Sequence, residues 1–430
     1  MTMLKFSDWR RAAARPWDAS HGLAFAALFA PGVGLWAPMG LSPLFALTAL
    51  FVLVHGWRDK VWMAFPRSLS VILALICGWA ALTSFWAVDP ARSMFSAAQL
   101  GLNTFAGVVL VGAARRLDNQ GIRRVGAAML AGIVLGMVLF VVGLVSGRRI
   151  AALLVSLESG DSYPYRLAIQ VFNRGVTVTG LMAVPVLAML WVQGRRRAAS
   201  VAGLLGVAMM LAAKALATKV LLVIDVLALV AFRRPSRSMG IGLGAFLASL
   251  AILVPLGTSM LPTPQVSADW SFLPYSSHHR LTIWGFVTAR IQERPVLGWG
   301  MDSARAIPGG EDDQIVYFEY PRGSGNRLPV TEQKLPLHPH NAVLQWWLEL
   351  GGVGALLFAV LLARLGPLAV GAGRSTALAV CAGALVVGVT VISSVSFGFW
   401  QSWWQCTMWL LAAWATALAP LLSPSQTRDE

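Results

Sequence analysis

The strongest chemical signal in the chain is a pair of histidines followed by a polar stripe. Pro336-Leu337-His338-Pro339-His340-Asn341 leads directly into an otherwise apolar stretch, where Asn341, Gln345 and Glu349 recur every four residues. That spacing places the three on one face of a helix. Imidazole is the side chain best suited to moving a proton near neutral pH. A carboxylate in such apolar company must line a cavity or pack inward. Pro336 and Pro339 restrict the backbone around His338, which suits a fixed proton acceptor, whereas His340 stands where a helix would begin and need a cap. Two further histidines, His278 and His279, lie upstream. A metal site competes with proton transfer here, because a His-x-His pair can chelate and Glu311, Asp312 and Asp313 are near in sequence. Against it, the chain has no HExxH or cysteine-based ligand spacing. In a third reading the pair only caps the helix.

A second group is cationic: Arg148, Arg149, Arg166, Arg174, Lys214 and Lys219, opposed nearby only by Glu158 and Asp161. Whether these do chemistry depends on which elements hold them and on which side of a membrane they lie. Hydrophobic residues make up 57% of the 430 and charged residues only 12%, about half the charged share of a globular protein. Leu69 to Phe85, Val125 to Val145, Gly240 to Leu256 and Ala377 to Val395 carry no charge. A bilayer crossing takes roughly 20 apolar residues as a helix, and continuous apolar runs without alternation exclude a strand barrel. The sequence therefore predicts an all-α polytopic membrane protein of about 12 spans. They fall near 20–36, 40–55, 68–86, 93–113, 125–146, 175–192, 199–213, 220–232, 239–257, 341–363, 376–396 and 403–422. Residues 1–257 would hold nine spans, 258–340 a large outer loop domain, and 341–430 the last three spans with a tail. The first apolar segment lacks a small-residue cleavage site and reads as a retained span. Cys77, Cys381 and Cys406 lie in or at the ends of apolar segments and read as packing residues.

The charges set the orientation. With the N-terminus inside, Arg58 and Lys60, Arg115-Arg116 with Arg123-Arg124, Arg195-Arg196-Arg197, Arg233-Arg234 with Arg237, and Arg364 and Arg374 all fall on cytoplasmic loops. Both termini are then cytoplasmic, as the positive-inside rule requires. The net charge of +15 is thereby explained without a nucleic-acid partner. Arg148, Arg149, Arg166, Arg174, Lys214 and Lys219 break the rule. Single cations can snorkel to the interface, but six on the disfavoured side point to an anion at the outer surface. Phosphate fits, because Arg matches its oxygens in pairs and Lys adds a point charge. In the outer loop, Leu281, Trp284, Val287 and Ile291 share one face of a helix over 280–294 that Arg294-Pro295 stops. Gly298-Trp299-Gly300 follows as a turn, and Gly351, Gly352 and Gly354 would permit close helix packing.

These motifs together carry a resemblance. Arg280-x3-Trp284, then Arg294-Pro295-x2-Gly298-x-Gly300, then His-x-His-Asn before Glu349-x-Gly351-x2-Gly354 resembles the superfamily of O-antigen ligases, O-antigen polymerases and protein O-oligosaccharyltransferases. The motifs span about a fifth of the chain, and the layout of spans with one late outer loop agrees over nearly all of it. Members often carry Ser-Arg at the outer end of a middle span. Here Thr218-Lys219 stands in that place, keeping the charge but losing the bidentate fork. The resemblance implies a bacterial inner-membrane glycosyltransferase with a periplasmic active site. It would move a glycan from undecaprenyl diphosphate to a hydroxyl of lipid A-core, with membrane lipid as its surroundings. Arg280, Lys214, Lys219, Arg166 and Arg174 would hold the diphosphate, with Asn341 beside them. His338 would be the base with His340 close behind, and Glu349 would orient the active imidazole. A fixed cradle of cations replaces a metal, so no metal and no cofactor are expected. A polymerase or a protein-targeting transferase would share the donor site. A transporter would instead show internal repeats and charges deep in the bundle, and neither is visible.

Overall fold

Apolar runs this long satisfy their backbone polar groups only as helices, and the computed structural model shows them in that form. It describes residues 17–57, 59–147, 149–150, 152–153, 156, 164–270, 272, 275–320 and 323–423, and not the side chains of 164–168 and 170. The helices are α1 (Ala19–Trp36), α2 (Leu41–Gly56), α3 (Arg67–Leu82), α4 (Pro90–Ala114), α5 (Asn119–Val145), α6 (Pro164–Val192), α7 (Arg196–Ala212), α8 (Leu216–Ala231) and α9 (Arg237–Thr258). After them come α10 (Pro264–Ala268), α11 (Tyr275–Glu293), strands β1 (Asp313–Glu319) and β2 (Arg327–Gln333), then α12 (Ala342–Val370), α13 (Thr376–Val395) and α14 (Ser402–Leu422). Every expected span is helical. Ten helices among the described residues, rather than twelve, are long and apolar enough to cross a membrane. The two that fall short are α7 and α8, of 17 and 16 residues, whereas 3-10 turns at Pro38–Gly40 and Thr83–Phe85 lengthen α2 and α3. At 1.5 Å per residue each reaches about 25 Å, less than the roughly 30 Å hydrocarbon core.

The bundle has two main packing units. One joins α1, α5, α6 and α14 around Leu23, Ala27, Met129, Val176, Leu181, Trp404 and Trp414. The other joins α3, α4, α9 and α12 around Ile76, Leu100, Leu247, Trp346 and Phe358. Short α7 lies along α6, and α8 packs on α13 and α6. The 258–340 connection is not an independent layer. Ile283, Val287 and Ile291 of α11 share a core with Trp299, Ile307 and Leu335, and also with Leu344 and Leu348 from the first turns of α12. Burial of that shared face, not the loop alone, therefore holds α11 over the end of the bundle.

A hairpin that the sequence reading treated as loop closes this cap. β1 and β2 pair antiparallel, with Val316 opposite Val330, across a turn holding Gly323 and Gly325 at positive φ. Beneath β2, Glu332 is buried against α11. Its carboxylate accepts from the Thr282 hydroxyl (3.1 Å) and pairs with His278 Nδ1 (3.1 Å).

Candidate active site

The site is built where α12 breaks. Gly351 has φ 65° and ψ −167° inside an otherwise helical run, and the freed backbone groups find partners in two other segments. Leu348 O and Glu349 O accept from the N–H groups of Trp299 and Gly300, both at 2.9 Å. Leu350 O accepts from the Trp79 indole at 2.9 Å. Beyond the break, Gly352 N–H donates to Pro295 O at 2.8 Å. Irregular backbone at membrane depth persists only where protein supplies such partners. A Cβ on Gly298 would lie 2.5 Å from Glu349 O, and one on Gly351 only 2.2 Å from Val296 O. The two glycine motifs that the sequence shows separately are thus the halves of one joint. Arg294 completes it by lying 4.0 Å over the Trp299 ring.

The joint fixes the turn before α12. The Trp284 indole of α11 donates to Pro339 O at 2.9 Å. His340 is held at φ 53°, a left-handed conformation that costs a non-glycine residue on the order of 1–3 kcal/mol and collects at functional sites. The ring centroids of His338 and His340 are 4.1 Å apart, but their hydrogen bonds have opposite polarity. His338 Nδ1 accepts the His340 backbone N–H at 3.1 Å, so a neutral His338 ring keeps its proton on Nε2. His340 Nδ1 faces Ser396 O at 2.7 Å. A carbonyl only accepts, so His340 Nδ1 carries the proton, and its Nε2 lone pair has no hydrogen-bond partner among the described residues.

Burial, then the neighbouring His340 ring and the Arg305, Arg174 and Arg280 guanidiniums, push the His338 imidazole down to about 2. Burial also lowers His340, to about 4, while its bond to Ser396 O works in the opposite direction and Arg280, His279 and Arg174 add to the lowering. Both rings are neutral near pH 7.

Two sequence-based expectations are corrected by this geometry. Glu349 does not touch either imidazole. It is fully buried, and its carboxylate accepts from Asp302 N–H (2.5 Å), the Trp400 indole (2.5 Å) and the Gln345 amide (3.2 Å). An unpaired polar group costs too much there, so it packs among donors rather than reaching outward. The helix cap is Asn341, not His340: its Oδ1 accepts from Leu344 N–H at 3.2 Å. That bond engages one lone pair of the Asn341 oxygen in capping α12.

The cations are partly gathered. Arg174 on α6 and Arg280 on α11, far apart in sequence, both act electrostatically on the histidine pair. Arg280 Nε is buried and has no hydrogen-bond partner among the described residues. Lys214, at the α7–α8 junction, is exposed, and its backbone N–H donates to Asn173 Oδ1 (3.1 Å) beside Arg174. Lys219 is exposed, while Thr218 next to it is buried with its hydroxyl 2.9 Å from that of Thr177. The side chain of Arg166 lies outside the described residues.

A cavity of about 530 Å³ opens beside His338, lined by Arg92, Ser96, Gln99, Asp302, Arg305, Gln345, Trp400 and Gln401 among others. Of these, the sequence reading singled out only Gln345. Arg305 was masked by the near-neutral charge balance of its loop. Arg92 stands alone in the first turn of α4, and Trp400 and Gln401 are polar only at their tips. No spacing links them before the chain folds.

Comparison with known proteins agrees with the motifs. The family model described as O-Antigen ligase matches residues 171–359, a stretch that contains Arg174, Arg280, both histidines and the α12 break. A protein described as "Putative polysaccharide ligase" from Rickettsia conorii is 24% identical over 371 residues, covering 85% of this chain and 84% of its own. One of the same description from Rickettsia bellii is 26% identical over 344 residues, 78% of this chain and 77% of its own. Another, from Rickettsia prowazekii, is 30% identical over 175 residues, 40% of each chain. No solved structure matches. Over residues 171–359 the chain is similar to the O-antigen ligase family, and along most of its length it is similar to polysaccharide ligases so described.

Proposed function

We propose that this protein is an inner-membrane ligase that transfers an O-antigen glycan from undecaprenyl diphosphate to a hydroxyl of lipid A-core. The site would face the periplasm, with both termini in the cytoplasm. The observation that carries the reading is the opposite hydrogen-bond polarity of His338 and His340 beside Arg174 and Arg280. Transfer needs a base for the acceptor hydroxyl and fixed positive charge for the departing diphosphate, and that arrangement supplies both.

The acceptor oxygen attacks the anomeric carbon of the donor sugar, and the carbon–oxygen bond to phosphate breaks. Undecaprenyl diphosphate leaves with the electron pair, and the hydroxyl proton passes to His340 Nε2. His340, rather than His338 as the resemblance implied, is the base in this reading. Its Nε2 lone pair has no partner among the described residues and its Nδ1–H is anchored on Ser396 O, whereas His338 Nδ1 already accepts a backbone N–H. His338 donates from Nε2 and holds an oxygen rather than taking a proton. Arg280 and Arg174 stabilise the leaving diphosphate without reorganising, and Lys214, Lys219 and Arg166 extend the positive rim. No metal is required.

The test is transfer by purified full-length protein in proteoliposomes, with lipid-linked glycan, lipid A-core and a chelator. Wild type should form polymer-bearing lipopolysaccharide, and His340→Ala should not. Extension of the lipid-linked glycan instead would identify a polymerase, and loss of wild-type activity with chelator would restore the metal reading. In cells, loss of the gene should leave bare core while lipid-linked polymer persists.

A further inference from the structure

The cap over the bundle carries an apolar outer surface that the site does not use. It begins on α9, one of the helices able to cross a membrane. The exposed positions Phe246, Leu250, Leu253 and Gly257 recur at helical spacing and form one stripe. Helical winding continues past Thr258, since Met260 N–H donates to Gly257 O (3.2 Å) and Leu261 N–H to Thr258 O (3.3 Å). Met260, 85% exposed, therefore carries the stripe beyond the membrane helix. Val266 of α10 and the stacked rings of Trp270 and Phe272, 5.6 Å apart, are exposed in the residues that follow. A chain extends by at most about 3.6 Å per residue, so α10 starts within about 22 Å of the end of α9.

The hairpin continues this surface. The Gln265 amide of α10 accepts from Tyr317 N–H (3.1 Å) and donates to Tyr317 O (3.0 Å), which fixes α10 along the edge of β1. Successive side chains of a strand turn to opposite faces. Val316 and Glu332 are buried on the α11 side, so Ile315 and Tyr317, with Thr331 and Pro329 opposite them, form the other face, and all four are exposed. Neither edge invites another strand: Gln265 occupies that of β1 at Tyr317, and Pro329 puts a residue without an N–H into β2. At the turn end of the face the charges are already engaged. Arg327 pairs with Asp269 at 2.8 Å, and Glu319 accepts from Gly325 N–H at 2.6 Å. A saccharide platform needs free donors and acceptors beside its rings, and the amide between α10 and β1 is spent on Tyr317. Exposed aliphatic side chains with Trp and Tyr at their margin are instead the composition of a membrane interface.

We propose that the surface running from Met260 through α10 and the Trp270–Phe272 pair to Ile315 and Tyr317 rests on the lipid headgroups of the leaflet where α9 ends. Its continuity with the exposed stripe of α9 identifies the occupant as lipid. The bilayer then holds the hairpin. Through the bonds of Glu332 to Thr282 and His278 it also holds the turn of α11 that carries Arg280. The proposal needs only the membrane helices and stands apart from the transferase reading.

The experiment uses the full-length protein in liposomes of phosphatidylethanolamine and phosphatidylglycerol, with a nitroxide label on one introduced cysteine at a time. Cys77→Ala leaves only buried native thiols, Cys381 and Cys406. Val266→Cys and Ile315→Cys report the proposed contact. Leu250→Cys reports lipid, and Ser324→Cys, in the hairpin turn, reports water. Oxygen concentrates in lipid and a nickel chelate in water, so the ratio of their collisions with a label reads its surroundings. Labels at 266 and 315 should show the high ratio found at 250, and the label at 324 the low one. Ile315→Asp combined with Tyr317→Asp should lower the ratio at 266, because charge resists leaving water. The ratio at 250 should stay unchanged, which separates a lost contact from a misfolded bundle. Ratios at 266 and 315 as low as at 324 would overturn the proposal. Shielding of both labels from both reagents would overturn it in favour of a second copy of this chain. Shielding that appears only with added O-polysaccharide would overturn it in favour of a glycan platform.

Discussion

The two histidine pairs of the 258–340 connection look equivalent in sequence and differ completely in place. His278 is buried in the cap, with Nδ1 on Glu332 (3.1 Å) and Nε2 on Pro264 O (2.8 Å). The carbonyl only accepts, so Nε2 donates to it, and Nδ1 shares a hydrogen bond with the Glu332 carboxyl group. His279 Nε2 meets Gln333 O at 2.9 Å. These two rings tie α11 to the hairpin and to α10. Among the described residues, His338 and His340 instead leave one nitrogen each uncommitted, beside three guanidiniums. What makes a histidine available for chemistry is therefore the bond its neighbours leave unmade, and composition does not report that.

The comparison breaks most readily at His340. Replacing it with Ala should lower the transfer rate by about 10²–10⁴, the usual contribution of a positioned base, while lipid-linked donor still binds. A His340→Ala protein as active as wild type, alongside a dead His338→Ala protein, would reverse the two roles. Arg280→Ala comes next: removing one charged group from a preorganised site should cost about 10²–10³ in kcat, and unchanged turnover would reduce the cations to snorkelling side chains.

A smaller effect should appear in the pH profile. A base lowered to about 4 stays neutral above that value and fails only as pH falls through it. For the free enzyme, kcat/KM should therefore hold steady down to about pH 5, well below the ordinary histidine range near 6.5. Bound diphosphate offsets the guanidiniums that depress His340, so the acid limb of kcat should lie at higher pH than that of kcat/KM. Coincident limbs near 6.5 would show that neither burial nor the arginines depress the base. The smallest effect on catalysis belongs to His278. His278→Ala strands a buried carboxylate and should destabilise the protein by about 3–5 kcal/mol, read as a lower Tm, while the folded fraction keeps its turnover. Loss of turnover without loss of Tm would move His278 into the site.

Much of the architecture was legible because membrane helices are specified locally. Each apolar run must satisfy its own backbone hydrogen bonds, so all twelve expected segments are helices, and only α7 and α8 fall short in length. The polar stripe at Asn341, Gln345 and Glu349 was correctly read as inward-facing, since all three are buried. The β1–β2 hairpin was missed because its pairing is made across a turn and against α11, not within one periodic segment.

By itself, then, the sequence determined the helices, the inward face of α12 and the cluster of motifs that marks the family, because each rests on local periodicity or on neighbouring residues. Tertiary structure alone decided the rest. It brought Arg174 and Arg280 to one pair of rings and turned Glu349 toward Asp302 and Trp400 instead of a histidine. It made Asn341 the cap and drew Arg92, Arg305 and Gln401 around one cavity. The direction of a hydrogen bond and the wall of a cavity are set by groups distant in sequence, and they exist only once α4, α11, α12 and the segment before α14 have packed together.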